Sequence, residues 1–333
     1  MLESALRSDP QVLLWLFANA LQRRGMLSER ADLTAYRLVN ADADDLPGMT
    51  LDRFDQTLVL SLYVDLEPDL EARLFDLIVQ VLAPQAIYLK RRPREARHAA
   101  NTEREHLAPE HPVWGEPTPE LVVLEDGRHF LICPGGDLSV GLFLDMRPTR
   151  TWLETKTKNK KVLNAFSYTC GFGLASSLGN AARTVNLDLS RRALDWGEEN
   201  YRLNQLEPER QDFIAGDVFD WLGRMKRWKD RFDLVILDPP SFAKSRLKRF
   251  SVSAHYHDLV ALTTPVIAPG GTLLACCNHA GLSRSSFLRL IESGLRDVGR
   301  QVVGLTSLGA DPIDFLVRAD GESPLKVFAV QLD

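Results

Sequence analysis

The spacing of apolar residues in the first part of the chain switches between a helical and a strand-like period. Leu13, Phe17 and Leu21 are four residues apart, which predicts a helix over residues 10–24. Short apolar runs bounded by turn residues follow it. We expect a small antiparallel sheet, a helix and one more strand from residues 36–40, 49–54, 57–64, 68–83 and 86–89.

Beyond residue 150 short continuous apolar runs alternate with helical stretches. This is typical of βαβ units around a parallel sheet that is buried on both faces. The runs lie at residues 161–166, 183–188, 211–215, 232–237 and 271–276. Before them, residues 98–118 are polar and proline-rich, which favours a surface linker, and residues 121–133 have the pattern of a β-hairpin.

These patterns predict an α/β protein with two domains. We expect a smaller α+β domain over residues 1–110 and a Rossmann-like domain over residues 119–333 that begins with the hairpin. A chain of 333 residues exceeds the usual size of a single core, which agrees with this division.

Composition narrows the class of protein. Hydrophobic residues make up 45% of the chain and charged residues 26%, as in ordinary globular proteins. The sequence contains no apolar run of about 18 residues and no signal-peptide pattern, so we expect a cytoplasmic protein without membrane association. Its 4 cysteines form no CxxC pair and lie at no metal-ligand spacing from a histidine, so we expect neither disulfides nor a metal site.

The charge distribution is uneven. The net charge of −5 argues against a uniformly basic surface, but basic residues cluster at 90–97, 156–161, 224–231 and 244–249. Any one cluster is explained by a solvated face. The four together favour a polyanionic substrate.

In open α/β sheets the ligand lies at the turns that follow the parallel strands. The first of these turns, residues 166–173, contains only Gly171 and Gly173 and has no GxGxxG motif. A loop with so few glycines accommodates a pyrophosphate poorly. An NAD-dependent oxidoreductase is therefore an alternative that this turn disfavours.

The second and third turns each carry a carboxylate. Asp188 ends an apolar run 17 residues after Gly171, close to the roughly 20-residue offset at which an acid binds ribose hydroxyls. Asp217 follows the next run and has the place to accept a hydrogen bond from an adenine amino group, with Val218 packing on the ring. Either acid serves equally well as a helix cap, and Ser190 competes for that role beside Asp188.

The fourth turn, residues 238–242, carries the strongest pattern. Pro239 and Pro240 fix the backbone and remove two donors, so Asp238 and the adjacent carbonyls form a rigid group of acceptors. Such a group suits a planar base with N–H donors, and Phe242 offers a ring on which the base stacks. We therefore predict that these four residues form the catalytic, base-binding turn, and a stiff turn without a ligand is the alternative.

In combination these motifs resemble the class I S-adenosylmethionine methyltransferases. More narrowly, the chain resembles the bacterial large-subunit rRNA methyltransferases that form 5-methylcytidine and their relatives that form 7-methylguanosine. The resemblance begins near residue 34. It includes the loop from Asn164 to Thr169, Asp188, Asp217, Asp238-Pro-Pro-Ser-Phe, Tyr36-Arg37-Leu38-Val39, Leu46-Pro47-Gly48, Asp52-Arg53-Phe54, Gly141 to Arg147 and Pro324-Leu325-Lys326.

The resemblance implies S-adenosylmethionine as cofactor, RNA and above all rRNA as substrate, and a role in RNA binding for the N-terminal domain. It implies no metal, and it leaves open whether the protein is a homodimer. The residues that it implies for the cofactor pocket are Arg147 near the methionine end, Asn164, Phe166, Tyr168, Thr169, Gly171, Asp188, Leu189, Asp217, Val218 and Asp238.

Two features depart from the family pattern. Many members begin with a β-rich RNA-binding domain of the PUA type, whereas residues 1–30 are too short and too helical to form one. The cytosine-C5 enzymes also need a thiolate that adds to carbon 6, within a Ser-Cys-Ser pattern after the fifth apolar run. Here that run ends in Cys276-Cys277-Asn278, and Asn278 resembles the asparagine of the guanine-N7 relatives.

We therefore predict methyl transfer to a nitrogen of an RNA base. The alternatives are cytosine-C5 methylation through Cys277 and a non-catalytic RNA-binding protein that keeps the cofactor pocket. Cys276 and Cys277 should point to opposite faces of their strand, and inert packing is the alternative to a nucleophilic role.

Overall fold

The computed structural model of the chain describes residues 2–7, 10–92, 104–240, 242–244, 249–319 and 321–333. It contains two compact units. Unit 1 comprises Met1–Leu144 and Asp311–Gly321, and unit 2 comprises Asp145–Ala310 and Glu322–Asp333.

Unit 1 is built on a five-stranded sheet with the order β1-β2-β3-β4-β5. Neighbouring strands are antiparallel except β3 and β4, which are parallel because a helix connects them. The predicted helix and three-stranded antiparallel sheet are confirmed. The elements are α1 (Leu2–Arg7), α2 (Pro10–Arg23), α3 (Gly25–Ser28), β1 (Ala35–Asn40), β2 (Met49–Phe54), β3 (Thr57–Leu62), α4 (Pro68–Leu82), β4 (Ala86–Arg91), α5 (Arg104–Leu107), β5 (Trp114–Gly115), β6 (Leu121–Glu125) and β7 (Arg128–Ile132).

The connecting helix α4 packs one apolar stripe on the sheet. Pro68 occupies its first turn, where a missing N–H costs nothing. Leu70, Leu74 and Ile78 follow at helical spacing and are buried in the core of unit 1. Ala83 ends the helix in the left-handed region, with a φ of 41°.

Two parts of the sequence-based division differ from the structure. Within the supposed linker, Trp114 pairs with Ile87, so that part of it is a strand of the first sheet. Residues 98–103 lie outside the described residues. The β6–β7 hairpin belongs to unit 1, because Thr34 N donates to Leu124 O over 2.8 Å beside β1. The boundary therefore follows Leu144 and does not lie between residues 110 and 119.

Unit 2 is built on a seven-stranded sheet with the order β10-β9-β8-β11-β14-β16-β15. All five apolar runs form parallel strands, β8 to β11 and β14, which confirms the predicted α/β fold. The elements are α6 (Arg147–Lys156), β8 (Lys161–Ala165), α7 (Gly171–Leu178), β9 (Arg183–Asp188), α8 (Arg191–Leu203), β10 (Phe213–Ala215), α9 (Val218–Trp228), β11 (Phe232–Leu237), β12 (Phe242–Lys244), β13 (Arg249–Ser251), α10 (Val252–Thr263), β14 (Ile267–Asn278), α11 (Arg284–Arg296), β15 (Val302–Leu308) and β16 (Leu325–Leu332).

The parallel strands are buried on both faces. Along β8, Leu163 lies in an apolar cluster on one face, whereas Val162 lies in a second cluster on the other. Strand β16 runs antiparallel to both β14 and β15. This antiparallel end of the sheet has no counterpart in the sequence analysis.

Candidate active site

The order of the strands reverses between β8 and β11. Strands β9 and β10 lie on one side of β8, whereas β14 lies beyond β11 on the other. The parallel register sets Ala165, at the end of β8, level with Leu187 and Leu237. The turns that follow these three strands therefore start at one edge of the sheet, where open α/β sheets bind ligands.

The loop between β8 and α7 has a strained backbone. Phe166, Tyr168 and Cys170 adopt φ angles of 59°, 47° and 62°. Residues other than glycine rarely adopt these angles, and each costs on the order of 1 kcal/mol. A Cβ on Gly197 would lie 2.3 Å from Cys170 Sγ, so helix α8 approaches this loop as closely as glycine permits.

Hydrogen bonds from neighbouring elements hold the strained loop. Asp188 Oδ2 accepts from Tyr168 N over 2.9 Å, and Asp188 Oδ1 accepts from Ser190 N over 2.8 Å. Asn200 Nδ2 donates to Thr169 O over 3.0 Å. Asp188 therefore organises the first two turns, and its oxygens keep further lone pairs that suit ribose hydroxyls.

A chain of buried polar side chains links the sheet to α8 and passes beside α7. Asn164 Nδ2 donates to Asn186 Oδ1 over 2.9 Å, and Asn186 Nδ2 donates to Tyr201 Oη over 3.1 Å. Asn164 Oδ1 is buried without a hydrogen-bond partner. A Cβ on Gly173 would lie 2.0 Å from Asn186 Oδ1, so a glycine is required where α7 crosses this chain.

The turn after β10 carries Asp217, whose Oδ1 accepts from Phe219 N over 2.8 Å and caps helix α9. The capping interpretation is therefore confirmed for this residue, while contact with adenine stays a prediction. Gly216 N donates to Asp188 O over 2.9 Å, which joins this turn to the one that follows β9.

Apolar groups border the two acidic turns. Val218 is buried at the start of α9, whereas the side chain of Leu189 is exposed. The Phe166 ring meets the Phe219 ring edge to face, with centroids 6.2 Å apart. Phe219 lies two residues after Asp217, in the turn whose apolar residues are expected to pack on the adenine ring.

The Asp-Pro-Pro turn follows β11 as predicted. Pro239 is buried and Pro240 is exposed. Tyr256, itself buried, donates its hydroxyl to Leu237 O over 3.2 Å and so fixes the last carbonyl before the turn. The backbone of Phe242 lies in β12, but its side chain is outside the described residues, so the predicted stacking stays a prediction.

The electrostatic environment of Asp238 is unusual. Burial, and after it the nearby charge of Asp145, raise the pKa of Asp238 to about 7, while Arg150 acts in the opposite direction. The carboxyl group is consequently balanced between its neutral and charged forms near neutral pH. Perturbed acids of this kind are common in active sites.

Helix α6 brings further polar residues to this edge of the sheet. Arg147 and Arg150 are both buried and lie one turn apart. Asn278 Nδ2, at the end of β14, is 3.5 Å from Asp145 Oδ2. The sequence-based site did not include Asp145 or Arg150, although Asp145 lies in the stretch from Gly141 to Arg147 that carries the family resemblance.

The two cysteines at the end of β14 face opposite sides of the sheet, as predicted. Cys277 packs in the cluster with α10 and α11, whereas Cys276 packs in the cluster on the α6 and α7 side. Both are fully buried, and burial raises the pKa of each thiol, although Lys326 opposes the effect at Cys277. Neutral, closed thiols are poor nucleophiles.

The site thus combines the fold, carboxylates and acceptor turn of a class I methyltransferase. The acids at the ends of β9 and β10 suit the ribose and adenine of an adenosyl group, and buried Arg147 suits a carboxylate. The chain belongs to the family of S-adenosylmethionine-dependent methyltransferases, whose sequence model matches residues 41–299.

Known proteins similar to the chain include two curated relatives. One is the ribosomal RNA large subunit methyltransferase I of Aeromonas salmonicida, 33% identical over 296 residues, which cover 88% of this chain and 73% of the relative. The protein of the same name from Aeromonas hydrophila is 35% identical over 297 residues, with the same coverage. Membership of this family excludes the alternative of an NAD-dependent oxidoreductase and establishes S-adenosylmethionine as the cofactor.

A solved structure agrees with the fold. SMU.776, a methyltransferase crystallised with S-adenosylhomocysteine, is 28% identical and superimposes with a TM-score of 0.84 over 96% of this chain and 81% of its own. Among the residues that the structure describes, no helix is long and apolar enough to cross a membrane. The described residues also contain no group of three or more metal-ligating side chains.

Proposed function

We propose that the protein transfers a methyl group from S-adenosylmethionine to a nitrogen of a base in large-subunit rRNA. The names of the two curated relatives support rRNA as the substrate. An rRNA substrate also implies a cytoplasmic reaction. The observation that carries the proposal is the Asp238-Pro239-Pro240 turn, which follows the strand at the switch point of the sheet.

The residues around the strained loop would bind the cofactor. Asp188 would accept hydrogen bonds from the ribose hydroxyls, and Asp217 from the adenine amino group, beside Val218 and the exposed face of Leu189. Arg147 would pair with the methionine carboxylate. The remaining residues assigned to the pocket are Asn164, Phe166, Tyr168, Thr169, Gly171 and Asp238.

The bound cofactor supplies a methyl group activated by a positively charged sulfur. Asp238 and the carbonyls of the turn would accept hydrogen bonds from the N–H groups of the base and so align its nitrogen with the methyl carbon. Transfer would form the nitrogen–carbon bond as the carbon–sulfur bond breaks, with the electrons of the broken bond leaving on sulfur. The nitrogen would become positively charged, and an amino nitrogen would then lose its proton to Asp238 or to water. Proximity and alignment are the contribution expected of the protein here, because a nitrogen lone pair needs no covalent activation.

The cysteines support a nitrogen acceptor. Carbon 5 of cytosine becomes nucleophilic only after a thiolate adds to carbon 6. Cys276 and Cys277 are closed off from solvent, and burial disfavours their thiolate forms. Methylation at carbon would therefore require a rearrangement at the end of β14.

Mass spectrometry of rRNA nucleosides from cells with and without the gene tests this proposal. We expect one nitrogen-methylated nucleoside of the large subunit to disappear in the deletion strain and to return with the parent gene. Loss of 5-methylcytidine instead would assign the reaction to carbon. Identical nucleosides in both strains, together with calorimetric binding of S-adenosylmethionine, would favour a non-catalytic RNA-binding protein.

A further inference from the structure

In the part of unit 1 that the structure describes, Lys90 and Arg92 have no carboxylate within hydrogen-bond distance. Lys90 is completely buried, and its Nζ has no hydrogen-bond partner. Arg92 is half-buried, and its guanidinium donates only to Ser61 Oγ, over 3.4 Å, and to Leu138 O. An ammonium group buried without a partner is costly, so its retention calls for an explanation.

Several other arginines of the same unit are paired with carboxylates. Arg24 contacts Asp44 over 2.6 Å, and Arg128 contacts Asp126 over 3.0 Å. Arg91, which lies between the two unpaired cations in sequence, bonds to Glu71. Arg91 projects from the opposite face of β4, because successive residues of a strand alternate between faces. Among the described residues at the end of β4, a carboxylate therefore lies beside Arg91 on one face, and none lies within hydrogen-bond distance of Lys90 or Arg92 on the other.

Hydroxyl groups continue this face across the sheet. Lys90 pairs in register with Ser61 on β3, and Ser61 pairs with Thr50 on β2, so the three side chains lie side by side. Thr50 Oγ1 is also buried without a partner. A row of two hydroxyls and two cations is the donor set that binds an oxyanion.

The charge of this row is positive at neutral pH. Burial, and then the charge of Arg92, lower the pKa of Lys90 to about 8, while Asp137 acts in the opposite direction. The lysine is therefore still mostly protonated at pH 7. Asp137 is exposed, and its Oδ1 accepts from Leu138 N over 2.7 Å.

We propose that Lys90 and Arg92, with the hydroxyls of Thr50 and Ser61, bind one phosphodiester group of an RNA. This inference rests on RNA as the substrate. Arg92 exchanges its two neutral acceptors for phosphate oxygens, which bind a guanidinium more strongly. Lys90, Ser61 and Thr50 are buried, so phosphate binding requires this face to open, and in the proposed complex Arg92 releases Leu138 O. Phosphate is the shared chemistry, and inorganic phosphate is the other source that the test separates.

The test compares Lys90→Met with Arg91→Met, which makes the same charge change on the opposite face. Binding of protein-free large-subunit rRNA is measured against salt concentration for both variants and the parent. We expect Lys90→Met to flatten the slope of log affinity against log salt by about 0.7 for a single strand or 0.9 for a duplex. Arg91→Met should keep the parent slope and melt at a lower temperature, because Glu71 loses its partner.

Thermal melting and phosphate binding decide between the remaining explanations. Lys90→Met should melt no lower than the parent, since it removes an unpaired buried charge. A fall of several degrees with an unchanged salt slope would overturn the proposal and make Lys90 a structural residue. Inorganic phosphate that stabilises the parent but not Lys90→Met, without any change in the RNA slope, would overturn RNA as the source.

Two outcomes separate this inference from the proposed function. Calorimetry with S-adenosylmethionine reports on unit 2 and should give the parent affinity for Lys90→Met. A parent protein that methylates rRNA while Lys90→Met keeps the full salt slope refutes only the phosphate site. A flattened salt slope for Lys90→Met, together with a parent protein that transfers no methyl group, refutes only the proposed methyl transfer.

Discussion

Replacement of Asp238 by asparagine should change the stability difference between variant and parent with pH. The variant should gain stability over the parent as the pH rises from acidic to neutral. The pKa of Asp238 is raised from 3.8 to about 7 by burial and by Asp145. Between these pH values the folded state binds more protons at this site than the unfolded state, so the parent loses stability as the pH rises. Asparagine does not titrate and avoids that loss.

The size of the effect follows from the pKa difference. A tenfold change in proton affinity corresponds to 1.36 kcal/mol, which sets a ceiling of about 4 kcal/mol above pH 7. The residue is only half-buried, so solvent screening reduces the expected difference to about 1–2 kcal/mol. For a unit of this size that corresponds to a relative change in melting temperature of about 2–8 °C.

Calorimetric melting of the parent and Asp238→Asn measures the difference in melting temperature. The pH range is roughly 4.5 to 8, which is set by the two pKa values. Asp220→Asn, the same change at an exposed position of α9, is the control and should follow the parent at every pH. Parallel curves for the parent and Asp238→Asn would refute the raised pKa and the electrostatic account of the turn.

Three further predictions concern the site. Asp188→Ala should weaken S-adenosylmethionine binding by roughly 1.5–3 kcal/mol in calorimetry. Asp188→Asn should weaken it by less, since asparagine keeps one acceptor oxygen. Equal affinities for the parent and both variants would remove Asp188 from the pocket. Cys277→Ala, alone or with Cys276→Ala, should have a methyl-transfer rate within about tenfold of the parent rate, which corresponds to a barrier change of about 1.4 kcal/mol. The parent protein should form no denaturant-stable adduct with RNA that contains 5-fluorocytosine. Such an adduct would establish the cytosine-C5 reaction. Gly173→Ala should destabilise the protein by about 1–3 kcal/mol in denaturant titration because its Cβ collides with Asn186 Oδ1. An unchanged titration would contradict the close packing of α7 on the sheet.

The parallel core of unit 2 was predictable because its strands are apolar on both faces. The apolar runs that contain Leu163 and Val235 are buried on both faces in a parallel sheet, and few other arrangements of a short strand bury both faces so completely. The edge strand β15 was not predictable in the same way, since Val303 and most of its neighbours are exposed. Trp114 was assigned to a linker because two residues carry no periodic signal, and only pairing with distant Ile87 makes them a strand.

The candidate site was predictable only where a side chain suited to binding a ligand directly follows a strand in the sequence. Asp188 and Asp238 satisfied both conditions. Asp145 and Arg150 did not, since their position beside Asp238 depends on how α6 packs against the sheet. The positive φ of Tyr168 was not predictable either, because Asp188, which accepts a hydrogen bond from Tyr168 N, is distant in sequence.

The central claim is transfer of a methyl group to a nitrogen of an rRNA base, and a reaction with purified components tests it most directly. The protein is incubated with S-adenosylmethionine that carries a deuterated methyl group and with large-subunit rRNA from cells that lack the gene. Mass spectrometry of the digested nucleosides should then find the deuterated methyl group on a nitrogen of one nucleoside, and Asp238→Ala should abolish the label. Label on carbon 5 of cytidine, or no label with any rRNA, would contradict the account.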